Sequence, residues 1–161
     1  MAAQRLDRTL TCYRLGDPDG EFPIYDARGS AIYPGRWNTI DMPVVYAAEH
    51  YSTAMLEKLA SGSGHIPPNQ HFITITIPAG VTYEIVTRDT LSGWDTPDPS
   101  VSRTFGAAWA HEQRSAILLV PSYVARIERN VIINPAHEDA KGIETSLAEP
   151  VWWDRRLYER R

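Results

Sequence analysis

Cysteine is almost missing from this chain of 161 residues, where Cys12 stands alone. A single thiol closes no intramolecular disulfide and offers no cluster for zinc, which argues against a disulfide-stapled secreted scaffold and against a zinc domain. Long apolar runs are missing too. No stretch approaches membrane-spanning length, and the opening residues Met-Ala-Ala-Gln-Arg-Leu-Asp-Arg lack the apolar core of a signal peptide. Cytoplasmic residence, with no membrane partner, is the expectation. Nor is there an excess of positive charge. Sixteen basic against 20 acidic residues leave a net charge of -4, which repels a nucleic-acid backbone but allows a local basic pocket for a small anion. The common cofactor and catalytic signatures are absent as well: no Gly-x-Gly-x-x-Gly, no Walker loop, no His-Glu-x-x-His and no Gly-x-Ser-x-Gly. A dehydrogenase, a P-loop enzyme, a zinc protease and an esterase each lose most of their support.

What is present suits one globular domain over residues 1–161, with 43% apolar and 22% charged residues, five Trp and eight Tyr. The pattern predicts a mixed α/β (α+β) fold. Strands are expected at residues 9–15, 44–47, 71–77, 82–86, 116–120 and 130–134, from alternation or short apolar runs bounded by turn residues. Helices are expected at 52–59, capped by Ser52, and at 102–113, where Phe105, Ala108 and Trp109 would be buried. Residues 16–43 carry four Gly and four Pro, too many for a long helix, and read as a structured loop. A final strand is expected near 151–153, with Trp152 and Trp153 packed into the core rather than forming a partner surface.

Chemistry must come from a scattered polar set: Arg14, Arg36, Tyr46, Glu57, Ser122, Asn130, Asn134 and His137. Each has an ordinary reading beside the functional one. Arg14 is either an edge-strand charge or a guanidinium fork for a phosphate or ribose. Gly35-Arg36-Trp37-Asn38 puts a cation and an aromatic ring on a glycine-containing turn, suited to an anion and a planar base, or equally to an Arg–Trp packing pair. Glu57, four residues after Thr53 in an apolar helix, is either solvated or a carboxylate projecting into a cleft. Ser122 lacks a glycine-rich elbow and reads as a turn or ligand-binding hydroxyl rather than a nucleophile. His137 lies far from other His or Cys residues in sequence, which argues against a metal site.

Taken in order, Tyr13-Arg14, Gly35-Arg36-Trp37-Asn38, Val44-Val45-Tyr46-Ala47, Ala54-Met55-Leu56-Glu57, Val120-Pro121-Ser122 and Asn130-Val131-Ile132-Ile133-Asn134-Pro135-Ala136-His137 resemble the RES-domain family, whose name records Arg, Glu and Ser. The similarity runs from Tyr13 to Asp154-Arg155-Arg156-Leu157. It implies a fold similar to ADP-ribosyltransferases and a toxin that breaks the nicotinamide–ribose bond of NAD⁺, the substrate rather than a cofactor. On this resemblance the catalytic positions are Arg14, Glu57 and Ser122, and the substrate-binding positions are Arg36, Tyr46 and Asn130. Arg14 and Arg36 would hold the pyrophosphate or the nicotinamide ribose, and Tyr46 would stack on or position the nicotinamide. Ser122 would hydrogen-bond the ligand. No metal is expected, from the lone cysteine and the spacing of the histidines. The resemblance also implies an Xre-type helix-turn-helix antitoxin that covers the site, while a homo-oligomer stays open. Net NAD⁺ depletion, by water or phosphate as acceptor, is the first expectation; transfer to a host protein, or an inactive antitoxin-binding module, are the alternatives.

Overall fold

The computed structural model describes residues 3–159. Among them nine strands form one sheet: β1 (Gln4–Arg5), β2 (Leu10–Gly16), β3 (Val45–Ala48), β4 (His71–Ile77), β5 (Thr82–Ile85), β6 (Ile117–Pro121), β7 (Arg129–Ile133), β8 (Glu144–Thr145) and β9 (Glu149–Pro150). The helices are α1 (Arg28–Ile32), α2 (Tyr51–Ser61) and α3 (Ser100–His111), with 3₁₀ turns at Glu138–Gly142 and Arg155–Leu157. The mixed α/β class expected from the pattern is the observed one. No helix among the described residues is long and apolar enough to cross a membrane.

The strand order is β1-β5-β6-β7-β3-β2-β4-β8, with β9 also on β4, and only the β5–β6 pair is parallel. Burial explains why β6, and β7 from Val131 onward, are apolar at successive positions. Ile117 and Leu119 enter one core with Val131, Ile133, Ile73, Ile75 and Ile77, whereas Leu118, Val120 and Ile132 enter a second core with Trp37, Trp94 and Trp109. A strand covered on both faces loses its alternation. The edge strands β1, β8 and β9 are exposed at both of their residues.

The ladder between β2 and β3 consists of a single pair, Tyr13 opposite Ala48. On its other side β2 pairs with β4 over seven residues, and β3 pairs with β7 over four. The sheet therefore parts along the β2–β3 line. Helix α2 lies over this region and buries Thr53 and Ala54, with Leu15, Ala48 and Ala54 forming a small third core beneath it.

Several expected boundaries shift. Helix α2 starts at Tyr51, after an extended His50 that makes no side-chain cap, so Ser52 lies in the first turn rather than capping it. Helix α3 buries Ser102, Gly106, Trp109 and Ala110, a helical face on which Phe105 and Ala108 sit at the margin. Gly106 is required there, because any Cβ would collide with the Trp37 carbonyl oxygen. No strand forms at 151–153; β8 and β9 precede it, and Pro150 ends the second without an N–H to donate. The adjacent tryptophans divide: Trp153 packs against the third core and Trp152 is exposed.

Candidate active site

The parting of β2 from β3 opens into a cavity of about 710 Å³. Tyr13, Arg14 and Leu15 line it from β2, Tyr46, Ala47 and Ala48 from β3, and Glu57 and Lys58 from α2. The loop between β2 and β3 adds Arg36 and Trp37, and Tyr123 and Asn130 complete the wall. A volume of this size suits a ligand larger than a metabolite of a few atoms. Five of the six expected site residues line this one cavity. Ser122 does not.

Arg14 sits where the strand ladder stops. Its Nε donates to the Ile24 carbonyl at 2.6 Å and its Nη1 to the Tyr46 carbonyl at 2.8 Å, so the guanidinium ties β3 and the loop between β2 and β3 to β2. Burial lowers its pKa from the usual arginine value, opposed by the charge of Asp26. Arginine remains a cation under such a shift.

Glu57 reaches the cavity because it lies one helical turn beyond Thr53, on the face of α2 that meets the sheet. Its Oε1 accepts from the Ser122 hydroxyl at 2.7 Å and from Asn130 Nδ2 at 3.1 Å. One carboxylate oxygen is thus held by two donors, while Oε2 takes no hydrogen bond from the described residues. Ser122 is fully buried, and its Oγ also accepts from the Ala125 N–H at 3.0 Å. A direct contact from Ser122 to a ligand, as the sequence reading had it, does not fit that placement; its hydroxyl bears on Glu57 instead. Asn130 Oδ1 is buried without a partner among the described residues, an arrangement that costs about 1–3 kcal/mol.

The turn carrying Arg36 is held from several sides. Asn38 is fully buried, and its Oδ1 accepts from the Gly35 N–H at 2.8 Å and the Tyr46 hydroxyl at 2.7 Å. The Tyr46 oxygen in turn accepts from the Trp37 N–H at 3.0 Å, and burial raises its pKa. Gly35 packs directly on the Tyr46 ring, leaving no room for a Cβ. Arg103 of α3 donates to the Gly35 and Pro34 carbonyls. Arg36 itself donates to the Trp94 and Thr96 carbonyls and lies 3.9 Å above the Tyr123 ring. The stacking partner of the guanidinium is therefore Tyr123 and not Trp37, which is buried edge-on against Phe105.

The remaining members of the polar set are structural. His137 Nδ1 accepts from the Asp139 N–H and caps a 3₁₀ turn, and buried Asn134 bonds the Ala110 carbonyl and the Ala136 N–H. Among the described residues no group of His, Cys, Asp or Glu is arranged to hold a metal ion. Sequence reasoning missed Lys58, Asn38, Arg103 and Tyr123. Two carried a signal: Asn38 stands in the Gly35-Arg36-Trp37-Asn38 motif, and Lys58 follows Glu57 on a helix whose Thr53 and Ala54 mark the buried side.

The sequence pattern of the RES domain matches residues 11–154. The chain belongs to the RES-domain family. The "Prs ADP-ribosylating toxin" of Sphingobium sp. (strain YBL2) is 41% identical over 134 residues, covering 80% of this chain and 83% of that protein. "Toxin Res" of Photorhabdus laumondii subsp. laumondii is 36% identical over 133 residues, covering 81% and 85%. In the crystal structure of the M. tuberculosis MbcT–MbcA toxin–antitoxin complex, a chain 16% identical matches with a TM-score of 0.70, over 91% of this chain and 86% of its own. That likeness establishes the fold. With family and relatives together, the chain is an enzymatic toxin of the RES type; of its Arg, Glu and Ser, Ser122 donates to Glu57, while Arg14 lines the same cavity and is held by main-chain carbonyls.

Proposed function

We propose that this RES-type toxin binds NAD⁺ in the cavity and breaks its nicotinamide–ribosyl bond. The observation carrying the reading is Glu57, a lone carboxylate fixed by Ser122 and Asn130 in a cavity whose other charged side chains are basic. Nicotinamide departs with the bonding electron pair, and positive charge develops on the ribosyl ring. A carboxylate already oriented toward that charge stabilises the transition state without reorganising. Arg14 and Arg36 are held by carbonyls at either side of the cavity, which suits them to fixing the pyrophosphate or the ribose. The Tyr46 hydroxyl is engaged by Asn38, so its ring would position the nicotinamide. Ser122 and Asn130 would act through Glu57.

The acceptor of the ADP-ribosyl group decides the biology. Water or phosphate would drain cellular NAD⁺, the first expectation of the sequence analysis. The name of the 41% identical relative favours a second reading, transfer to a protein side chain. An Xre-type helix-turn-helix antitoxin would silence either activity by filling the cavity; the toxin–antitoxin complex of the structural neighbour supports an antitoxin partner, and the Xre type follows from the family resemblance alone. The test is incubation of purified toxin with NAD⁺ labelled in the adenylate half, alone and with cell extract. Nicotinamide should be released, and Glu57→Gln, folded by its melting curve, should lose roughly a hundredfold or more of the rate. Free labelled ADP-ribose or its phosphate would establish depletion, and a labelled protein band would establish transfer. Equal rates for wild type and Glu57→Gln would sink the assignment of Glu57, and no nicotinamide release would sink the function.

A further inference from the structure

Lys58 is the cation of the cavity that the protein leaves uncommitted. Four charged side chains line the cavity: Arg14, Arg36, Lys58 and Glu57. Both arginines donate to main-chain carbonyls and are held in place by them. Lys58 forms no salt bridge or side-chain hydrogen bond among the described residues, and Arg14, a like charge, is the one charged group that bears on it. A partly buried ammonium without an anion is costly, and here two effects act the same way: burial first, then Arg14, lower its pKa from the usual lysine value. Helix geometry gives no relief through Glu57, because successive residues on a helix do not face each other.

Three positive charges against one negative leave the cavity doubly positive inside a chain of net charge -4. The ligand that balances it is a dianion, and the diphosphate bridge of a dinucleotide carries two negative charges. We propose that Lys58 is a substrate-binding residue whose ammonium, together with Arg14, seats the diphosphate bridge of the dinucleotide. This rests on the NAD⁺ reading given above and adds the residue that follows the ligand into place. The division of labour is physical. The arginine forks are fixed by the fold, whereas a four-carbon stem with three rotatable donors adjusts to the phosphate oxygens.

The experiment compares wild type, Lys58→Met and Lys58→Arg, using the full chain. Calorimetric titration with ADP-ribose, which keeps the diphosphate and lacks nicotinamide, should show affinity weakened at least tenfold in Lys58→Met and restored to within about threefold in Lys58→Arg. Adenosine, which lacks the diphosphate, should bind all three alike. In steady-state assays KM for NAD⁺ should rise in Lys58→Met while kcat stays within about twofold, the sign of lost binding shared by ground and transition states. Unchanged ADP-ribose affinity in Lys58→Met, or a fall in kcat at constant KM, overturns the proposal. Inorganic pyrophosphate separates the two readings. If wild type binds pyrophosphate, Lys58→Met does not, and neither cleaves NAD⁺, the anion seat stands and the NAD⁺ reading falls; if wild type binds neither ADP-ribose nor pyrophosphate, the seat falls.

Discussion

The Ser122 hydroxyl has one proton and gives it to Glu57, while its lone pair takes the Ala125 N–H. This makes Ser122 a positioning residue, and the distinction is measurable. Ser122→Ala removes one of two donors from the carboxylate without touching the cavity wall, so the substrate should bind as before and turn over more slowly. Hydrogen bonds to charged groups contribute about 1.5–3 kcal/mol, which corresponds to roughly ten- to a hundredfold in rate. We expect kcat to fall within that range with KM nearly constant; a rise in KM at constant kcat would show that the hydroxyl meets the ligand after all. Cys12 needs no such test, since burial and the charge of Glu49 push its thiol up to about 12 and keep it protonated.

Among the elements, the 3₁₀ turn at Glu138–Gly142 is joined to the sheet by one carboxylate. Asp139 Oδ2 accepts from the Thr82 hydroxyl at 2.7 Å and the Thr82 N–H at 3.3 Å, and the same hydroxyl accepts from the Ala116 N–H. The Thr82 hydrogen bond holds the Asp139 pKa below the ordinary carboxylate value. The unfolded chain therefore binds the proton more readily than the folded one in this window. The resulting stability is fully present above the unfolded value, about 3.9, and is lost as pH falls through the lower folded value. Asp139→Asn should lower the urea midpoint at pH 7, by about 1–2 kcal/mol in stability, with the gap closing in strong acid where both side chains are neutral. A gap independent of pH would mean that shape rather than charge holds the turn. Legibility differed among elements for a simple reason. Strand β4 alternates over seven residues and β6 is apolar over five, lengths at which a period or its loss is visible. Strands β8 and β9 have two residues each and show no period at all. The site divides in the same way: spacing to Thr53 leaves Glu57 either solvated or in a cleft and only the family resemblance assigns it to the site, whereas Arg14's two carbonyl partners lie 10 and 32 residues away and depend on the strand order.

At the scale of the whole molecule, the one-pair ladder between β2 and β3 divides nine strands into two leaves bound along a short spine. One leaf holds β1, β5, β6, β7 and β3; the other holds β2, β4, β8 and β9. Apart from Tyr13 and Ala48, the stitching between them includes the Arg14 side chain, which takes the Tyr46 carbonyl that a longer ladder would have engaged. A ligand lying in the cavity touches both leaves at once and so serves as their clasp. Its binding should slow hydrogen exchange at residues 13–15 and at 46–48 together, and raise global stability by about 2.7 kcal/mol when ADP-ribose is present at a hundred times its Kd. Protection confined to one leaf would show that the ligand rests on a wall rather than spanning the gap. For a toxin this coupling has a particular meaning: the opening that admits the substrate lies where the ladder between neighbouring strands is shortest, so a partner that fills it would bridge the two leaves as it silences the chemistry.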